Sequence, residues 1–159
     1  MEQNRTQRLK NRHRRGARQN KKPLQMELPF ASDRDFKRRV RHYPDIPLVE
    51  LVPGSNSHLF FGDRITVSFL TMAANSYFPP HRHKAEQIMI VLDGYADEIV
   101  EKKLYRLQKG DVLLLPSNIE HGAYLREVDC RVIDIFSPPR KDFRDKYEKT
   151  IRKLKKRRS

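Results

Sequence analysis

The chain has 159 residues, 37% of them hydrophobic and 34% charged, with a formal net charge of +14 and one cysteine, Cys130. This is room for one domain, and it excludes an intrachain disulfide framework, which fits a reducing compartment. No apolar run approaches the ~18 residues of a membrane span, and the N-terminus lacks the apolar stretch of a secretory signal, so a cytoplasmic location is expected.

The charge is uneven. Residues 1–22 hold nine Lys or Arg and one acid, residues 140–159 hold eleven and three, and residues 23–139 are nearly neutral, with 14 basic and 16 acidic side chains. The first of these segments has only Met1, Leu9 and Ala17 as apolar residues, too few to offset its chain entropy. The expected organisation is a basic, disordered extension over 1–25, a folded domain over 26–140 and a basic helix or tail over 141–159.

Pro44, Pro47 and Pro53-Gly54 punctuate the start of the domain. Short β-type runs follow: Leu48 to Val52, then His58 to Phe61 closed by Gly62-Asp63, then the alternating Arg64 to Met72. Pro79-Pro80 stops the chain just before His81. Gln87 to Leu92 reads as an apolar strand ended by Asp93-Gly94, a hairpin signal. Tyr95 to Val100 pairs with Lys103 to Leu107 across Glu101-Lys102, and Lys109-Gly110-Asp111 is a further turn. Val112 to Leu115 is a buried strand stopped by Pro116. His121 to Leu125 and Cys130 to Ser137 complete a set of short strands typical of a sandwich or barrel. After Pro138-Pro139, Phe143, Tyr147, Ile151 and Leu154 recur at helical spacing, which predicts an amphipathic helix from Lys141 to about Lys156.

Two stretches carry the chemistry. The first reads P-H-R-H-K-A-E-Q from Pro80. His81 and His83 are two apart, so on a strand they share a face, and Gln87, four residues on, can add an amide oxygen. The second reads G-D-V-L-L-L-P-S-N-I-E-H from Gly110 and brings His121. An isolated HRH fits two solvated histidines better than a metal site; the second stretch adds a third histidine. Three His with one oxygen ligand suit zinc, iron, manganese, nickel or cobalt, and affinity order alone does not choose among them. His13, His42 and His58 lack partners at ligand spacing.

A third group lies in D-I-F-S-P-P-R, where Asp134 and Phe136 share a strand face and Arg140 follows two prolines. A carboxylate inside a barrel near a metal can move protons, and the planar fork of arginine suits a carboxylate. Spacing alone also fits an edge aspartate in water, a core phenylalanine and a solvated arginine.

Together the first two stretches resemble the cupin superfamily. His81, His83, Gln87 and Gly94 stand at the spacing of its first motif. Gly110, Pro116 and His121 stand at that of its second, with Asn118 where Gly is usual; Asn tolerates the left-handed conformation better than most residues. The resemblance covers roughly Leu48 to Ser137 and implies an all-β jelly-roll barrel (a double-stranded β-helix) with a C-terminal helix. Gln87 replaces the more usual Glu, so a metal here keeps its positive charge and favours an anionic ligand. This leans away from the 2-His-1-carboxylate iron pattern.

Among small single-domain cupins, the terminal DxFSPPR together with HxHxxEQ in the first motif is similar to the KdgF family of pectin-degradation proteins. That resemblance implies one divalent metal on His81, His83, Gln87 and His121, and catalytic roles for Asp134, Phe136 and Arg140. It further implies conversion of a 4,5-unsaturated uronate to the open-chain 5-keto-4-deoxyuronate, and a homodimer. The basic ends lie outside the family pattern and suit weak contact with a polyanion. Two alternatives stand beside the enzyme: a non-catalytic cupin that senses a small ligand, with polyanion-binding tails, and a metal-dependent oxygenase.

Overall fold

The structure is a computed structural model and describes residues 28–157. The extension expected over residues 1–25 lies outside the described residues. The chain divides into two compact units, one ending at Arg39 and one beginning at Val40.

In the first unit the described residues form one short helix, α1 (Asp33–Arg39). Ser32 starts it: its Oγ accepts the Asp35 N–H at 3.2 Å and lies 2.8 Å from Asp35 Oδ2. This Ser-x-x-acid pairing satisfies helix N-terminal donors that would otherwise lack partners.

The second unit begins with a 3-10 turn, Tyr43–Asp45, whose Tyr43 ring stacks on Phe69 at 4.3 Å. The described residues then form β1 (Leu48–Val52), β2 (Ser55–Phe61), β3 (Thr66–Met72), β4 (Tyr77–His81), β5 (Glu86–Asp93), β6 (Tyr95–Val100), β7 (Lys103–Gln108), β8 (Val112–Leu115), β9 (His121–Tyr124), β10 (Cys130–Ser137) and helix α2 (Lys141–Lys156). A six-stranded sheet has the order β1-β2-β3-β10-β5-β8, and a four-stranded sheet the order β4-β9-β6-β7. All pairings are antiparallel. This is the expected all-β barrel architecture with its C-terminal helix.

Period-two burial builds the core. Along β10, Cys130, Val132, Asp134 and Phe136 are buried, while Arg131 and Ser137 are exposed. Val49, Leu59, Leu70, Met72, Met89 and Val91 fill the same interior from the large sheet, and Ala96, Leu107 and Ala123 close it from the small one. Strand β10 lies between β3 and β5, so its inward residues are flanked by strands on both sides. Phe136 is 2% exposed; truncating such a ring to Ala costs about 3–5 kcal/mol.

Three expectations need correction. Strand β8 is not a buried strand: Leu115 is buried, but Val112 and Leu114 are 63% and 56% exposed, because β8 is an edge of the large sheet. The Pro79-Pro80 pair does not stop the chain but lies inside β4. That strand is an edge of the small sheet, its register with β9 breaks between Phe78 and His81, and prolines are tolerated on an edge. The Asp93-Gly94 turn does not close a hairpin: β5 pairs with β10 and β8, whereas β6 pairs with β7 and β9. Gly94 carries the chain from one sheet to the other at φ +73, and a Cβ there would sit 2.1 Å from the Asp129 carbonyl oxygen. The β6–β7 hairpin forms as expected, with Glu101 and Lys102 at φ 48 and 65.

Helix α2 uses its apolar stripe as the sequence implies, but only near its start. Phe143 is buried, Tyr147 packs edge-on against Phe61 at 5.6 Å, and the Lys146 ammonium donates to the Leu51 carbonyl. Leu154, a turn from the end, is 40% exposed. No helix among the described residues is long and apolar enough to cross a membrane.

Candidate functional site

His81 ends β4, His83 lies in the loop after it, and His121 opens β9 beside His81 in the sheet register. The loops carrying the two sequence motifs are tied together. The Asn118 N–H donates to the His83 carbonyl at 2.8 Å, the Ser117 hydroxyl to the Lys84 carbonyl at 2.7 Å, and Arg82 to both the Asn118 carbonyl and Glu120. Asn118 takes φ 63, the left-handed conformation expected of it.

The three rings converge, with one potential ligand atom from each lying within 4.8 Å of the others. Their Nδ1 atoms are engaged elsewhere: His81 with the Pro79 carbonyl at 3.0 Å, His83 with that of Ala85 at 2.8 Å, His121 with that of Ile119 at 3.0 Å. A carbonyl only accepts, so each Nδ1 carries the proton and each Nε2 presents a lone pair. Burial lowers the pKa of all three, with the nearby Arg140 charge adding to the effect, and His121 falls to about 4. They are neutral imidazoles at physiological pH.

Gln87 extends the set. Its Oε1 lies 3.2 Å from His83 Nε2, and its Nε2 donates to Asp134 Oδ1 at 2.9 Å. With His83 Nδ1 already donating, the 3.2 Å approach sets two lone pairs side by side rather than a donor against an acceptor. Three imidazole nitrogens within 4.8 Å of one another, with an amide oxygen 3.2 Å from one of them, are a donor set that fits a divalent transition metal, with the outer hydrogen bonds fixing ring orientation.

Asp134 is 3% exposed. Burial raises its carboxyl pKa to about 7, against the opposing pull of the Gln87 hydrogen bond and the Arg140 charge. A carboxyl near neutrality can both take and return a proton. Phe136 packs edge-on against His83 at 5.6 Å and against Phe143 at 5.4 Å.

Arg140 is held from every side. Its backbone N–H donates to Thr66 Oγ1 at 3.1 Å, and its guanidinium lies 5.1 Å from the Phe136 ring centre and 4.1 Å from that of Phe143. Its Nε and one terminal nitrogen already grip the Asp142 carboxylate at 2.9 and 2.7 Å. The Arg140 fork holds a carboxylate, then, and it belongs to the chain's own helix. The other terminal nitrogen makes no hydrogen bond among the described residues.

One cavity is lined by His81, Gln87, His121, Asp134, Phe136 and Arg140, with His83 at its edge through Gln87. The residues singled out in three separate sequence stretches therefore meet at one place. His58 does not join them; it bonds the Ile46 carbonyl, while His42 stands 3.5 Å from Asp45. His13 lies outside the described residues.

Sequence reading missed two members. Asp142 escaped because two residues along a helix start is not a recognised pairing distance. Glu98 also lines the cavity and is 1% exposed. Its signal was present, since Glu98 shares its strand face with the apolar Ala96 and Val100.

Comparison with known proteins agrees with this architecture. The cupin domain family matches residues 68–136. The structure of KdgF from Halomonas sp. is 28% identical, with a TM-score of 0.57 over 61% of this chain and 90% of that one. An RmlC-like cupin from Shewanella frigidimarina superposes with a TM-score of 0.62 at 22% identity, over 66% of this chain and 95% of the other, a likeness of fold. The H2HPP isomerase of Bacillus subtilis is 30% identical over 93 residues, which is 57% of this chain; the match spans 39% of that relative's length.

Proposed function

The chain is a cupin that resembles KdgF, and from that premise we propose that it is a metal-dependent enzyme acting on a small carboxylated sugar. The reaction we assign is conversion of a 4,5-unsaturated uronate to the 5-keto-4-deoxyuronate. The observation that carries this reading is the placement of Gln87, whose oxygen faces His83 at 3.2 Å while its amide donates to Asp134 at 2.9 Å, so that a carboxyl with a pKa of about 7 stands beside the histidine cluster and Arg140.

A divalent transition metal (zinc, iron, manganese, nickel or cobalt) held by His81, His83, His121 and Gln87 would supply a Lewis acid for a ligand oxygen. The neutral ligand set leaves net positive charge for an anionic substrate. Arg140 adds the second cation. Its free terminal nitrogen takes the uronate carboxylate, and its clamp by Asp142 and two aromatic rings fixes its direction in advance.

The reaction is an isomerisation. A proton leaves the C1 hydroxyl, the bond from C1 to the ring oxygen breaks, C1 becomes an aldehyde, and the freed C5 enol takes a proton at C4 to become the ketone. Asp134 accepts the first proton and returns one to C4. Phe136 is the apolar wall beside Asp134 and packs edge-on against the His83 ring.

The experiment is incubation of the metal-loaded protein with 4,5-unsaturated galacturonate, with the product identified by NMR. The open-chain keto acid supports the assignment. Unchanged substrate, with the metal site filled, overturns the assignment.

A further inference from the structure

Neighbouring carboxylates on β6 have opposite surroundings. Asp97 points to the outer side of its sheet, where Arg106 grips it at 2.8 and 3.0 Å and Arg126 at 2.7 Å. Those bonds hold its pKa down at about 2. Glu98, one residue on, points the other way, as alternation along a strand requires. It is 1% exposed, its Oε1 has no hydrogen-bond partner, and no cation pairs with it among the described residues. Burial, with the adjacent Asp134 charge, raises its pKa well above the ordinary carboxyl value.

A buried carboxyl oxygen without a partner costs stability. A fold has no use for it at this position, because Ala96 and Val100 on the same strand face show that the interior there accepts apolar side chains. Glu98 also lines the cavity that holds His81, His121, Gln87, Asp134 and Arg140. A group that weakens the fold and faces a cavity built for chemistry is what a ligand contact leaves behind when the ligand is away.

We infer that Glu98 is a ligand-contacting residue: its buried, unpartnered carboxyl takes up a hydroxyl group of a small hydroxy acid whose carboxylate is held by Arg140. A hydroxyl suits Glu98 because it both donates and accepts. An anionic group does not, since Asp134 already crowds the same space with a carboxyl. This inference rests on the reading of the cavity as a sugar-acid site and adds to it a second anchor, on the four-stranded sheet.

The test compares Glu98→Met, Glu98→Gln and wild type, all metal-loaded, in three measurements: metal content, thermal midpoint, and turnover of 4,5-unsaturated galacturonate. Glu98→Met is expected to keep its metal, to melt no lower than wild type and to lose at least 30-fold in kcat/KM. Glu98→Gln keeps a polar end and loses a smaller factor. A Glu98→Met protein that melts several degrees lower makes Glu98 a fold element and overturns the inference, as does one with wild-type turnover. If wild type does not turn the uronate over, the reaction assignment falls by itself. Calorimetric titration with saturated galacturonate then decides on Glu98. Binding at least tenfold weaker in Glu98→Met upholds the inference. Equal affinity, or no binding to either protein, overturns it.

Discussion

The side-chain amide of Gln87 donates to Asp134 Oδ1 at 2.9 Å while its oxygen faces His83 at 3.2 Å. One residue therefore joins the candidate metal ligands to the candidate proton carrier. A glutamate at this position would lose the donor and set two carboxyls in contact, which forces one of them to stay protonated. Gln87→Glu is expected to keep its metal through the three histidines and to lose at least tenfold in turnover. Metal analysis and initial rates check this; unaltered turnover would leave the Gln87–Asp134 bond without a role.

Asp134→Asn preserves shape and removes the proton carrier. The expected loss is about 10²–10⁴-fold in kcat, the usual range for a positioned acid or base, with metal content unchanged.

The same substitution has a pH signature in stability. The folded pKa of Asp134, about 7, lies above its ordinary 3.8, so the folded state holds the extra proton between these values. Its contribution therefore falls as pH rises from about 4 to about 7. The three histidines act in the opposite sense over much of this window, because the unfolded chain binds their protons. The difference between variant and wild type removes most of the histidine contribution: metal-free Asp134→Asn should gain stability relative to wild type between pH 4.5 and 7.5. At about 1.4 kcal/mol per pKa unit the full gain amounts to a few kcal/mol. Urea midpoints at the two pH values measure it, and an equal difference at both would count against a proton held by Asp134.

Arg140→Lys keeps the charge and loses the planar fork, the clamp on Asp142 and the ring contacts. KM for a uronate is expected to rise about tenfold or more, with a smaller change in kcat. A change confined to kcat would place Arg140 in the chemistry instead of in binding.

Asp97 supports the fold from outside the cavity. Its pKa is depressed to about 2, so its contribution is present above about pH 4 and is lost as pH falls toward 2. Asp97→Asn is expected to cost about 1–3 kcal/mol at pH 7, visible as a lower thermal midpoint, and to leave metal content and turnover unchanged.

Much of this was legible in the sequence, and the exceptions have physical causes. Spacing put His81 and His83 on one face, and the resemblance of the two motifs to the cupin pattern added Gln87 and His121 to them. The left-handed Asn118 was expected from its amide side chain, and helix α2 was read from Phe143 and Tyr147. Strand β4 was missed because prolines argue against a strand except at an edge, and sequence does not say which strands are edges. The Asp93-Gly94 turn was taken for a hairpin because a local signal marks a reversal without naming the sheet the chain enters next. Glu98 was passed over because a charged residue in a strand is ordinarily solvated, although the apolar Ala96 and Val100 on its strand face already pointed inward.

The most direct test of the account is turnover as a function of metal occupancy. The protein is stripped with a chelator, titrated back with one divalent metal at a time, and assayed at each step by loss of the enol-ether absorbance of 4,5-unsaturated galacturonate. The account predicts no loss in the stripped protein, a rate that rises in proportion to occupancy up to one ion per chain, and no recovery in His121→Ala. A fully occupied protein that leaves the absorbance unchanged, or a stripped protein that consumes the substrate at the same rate, would contradict it.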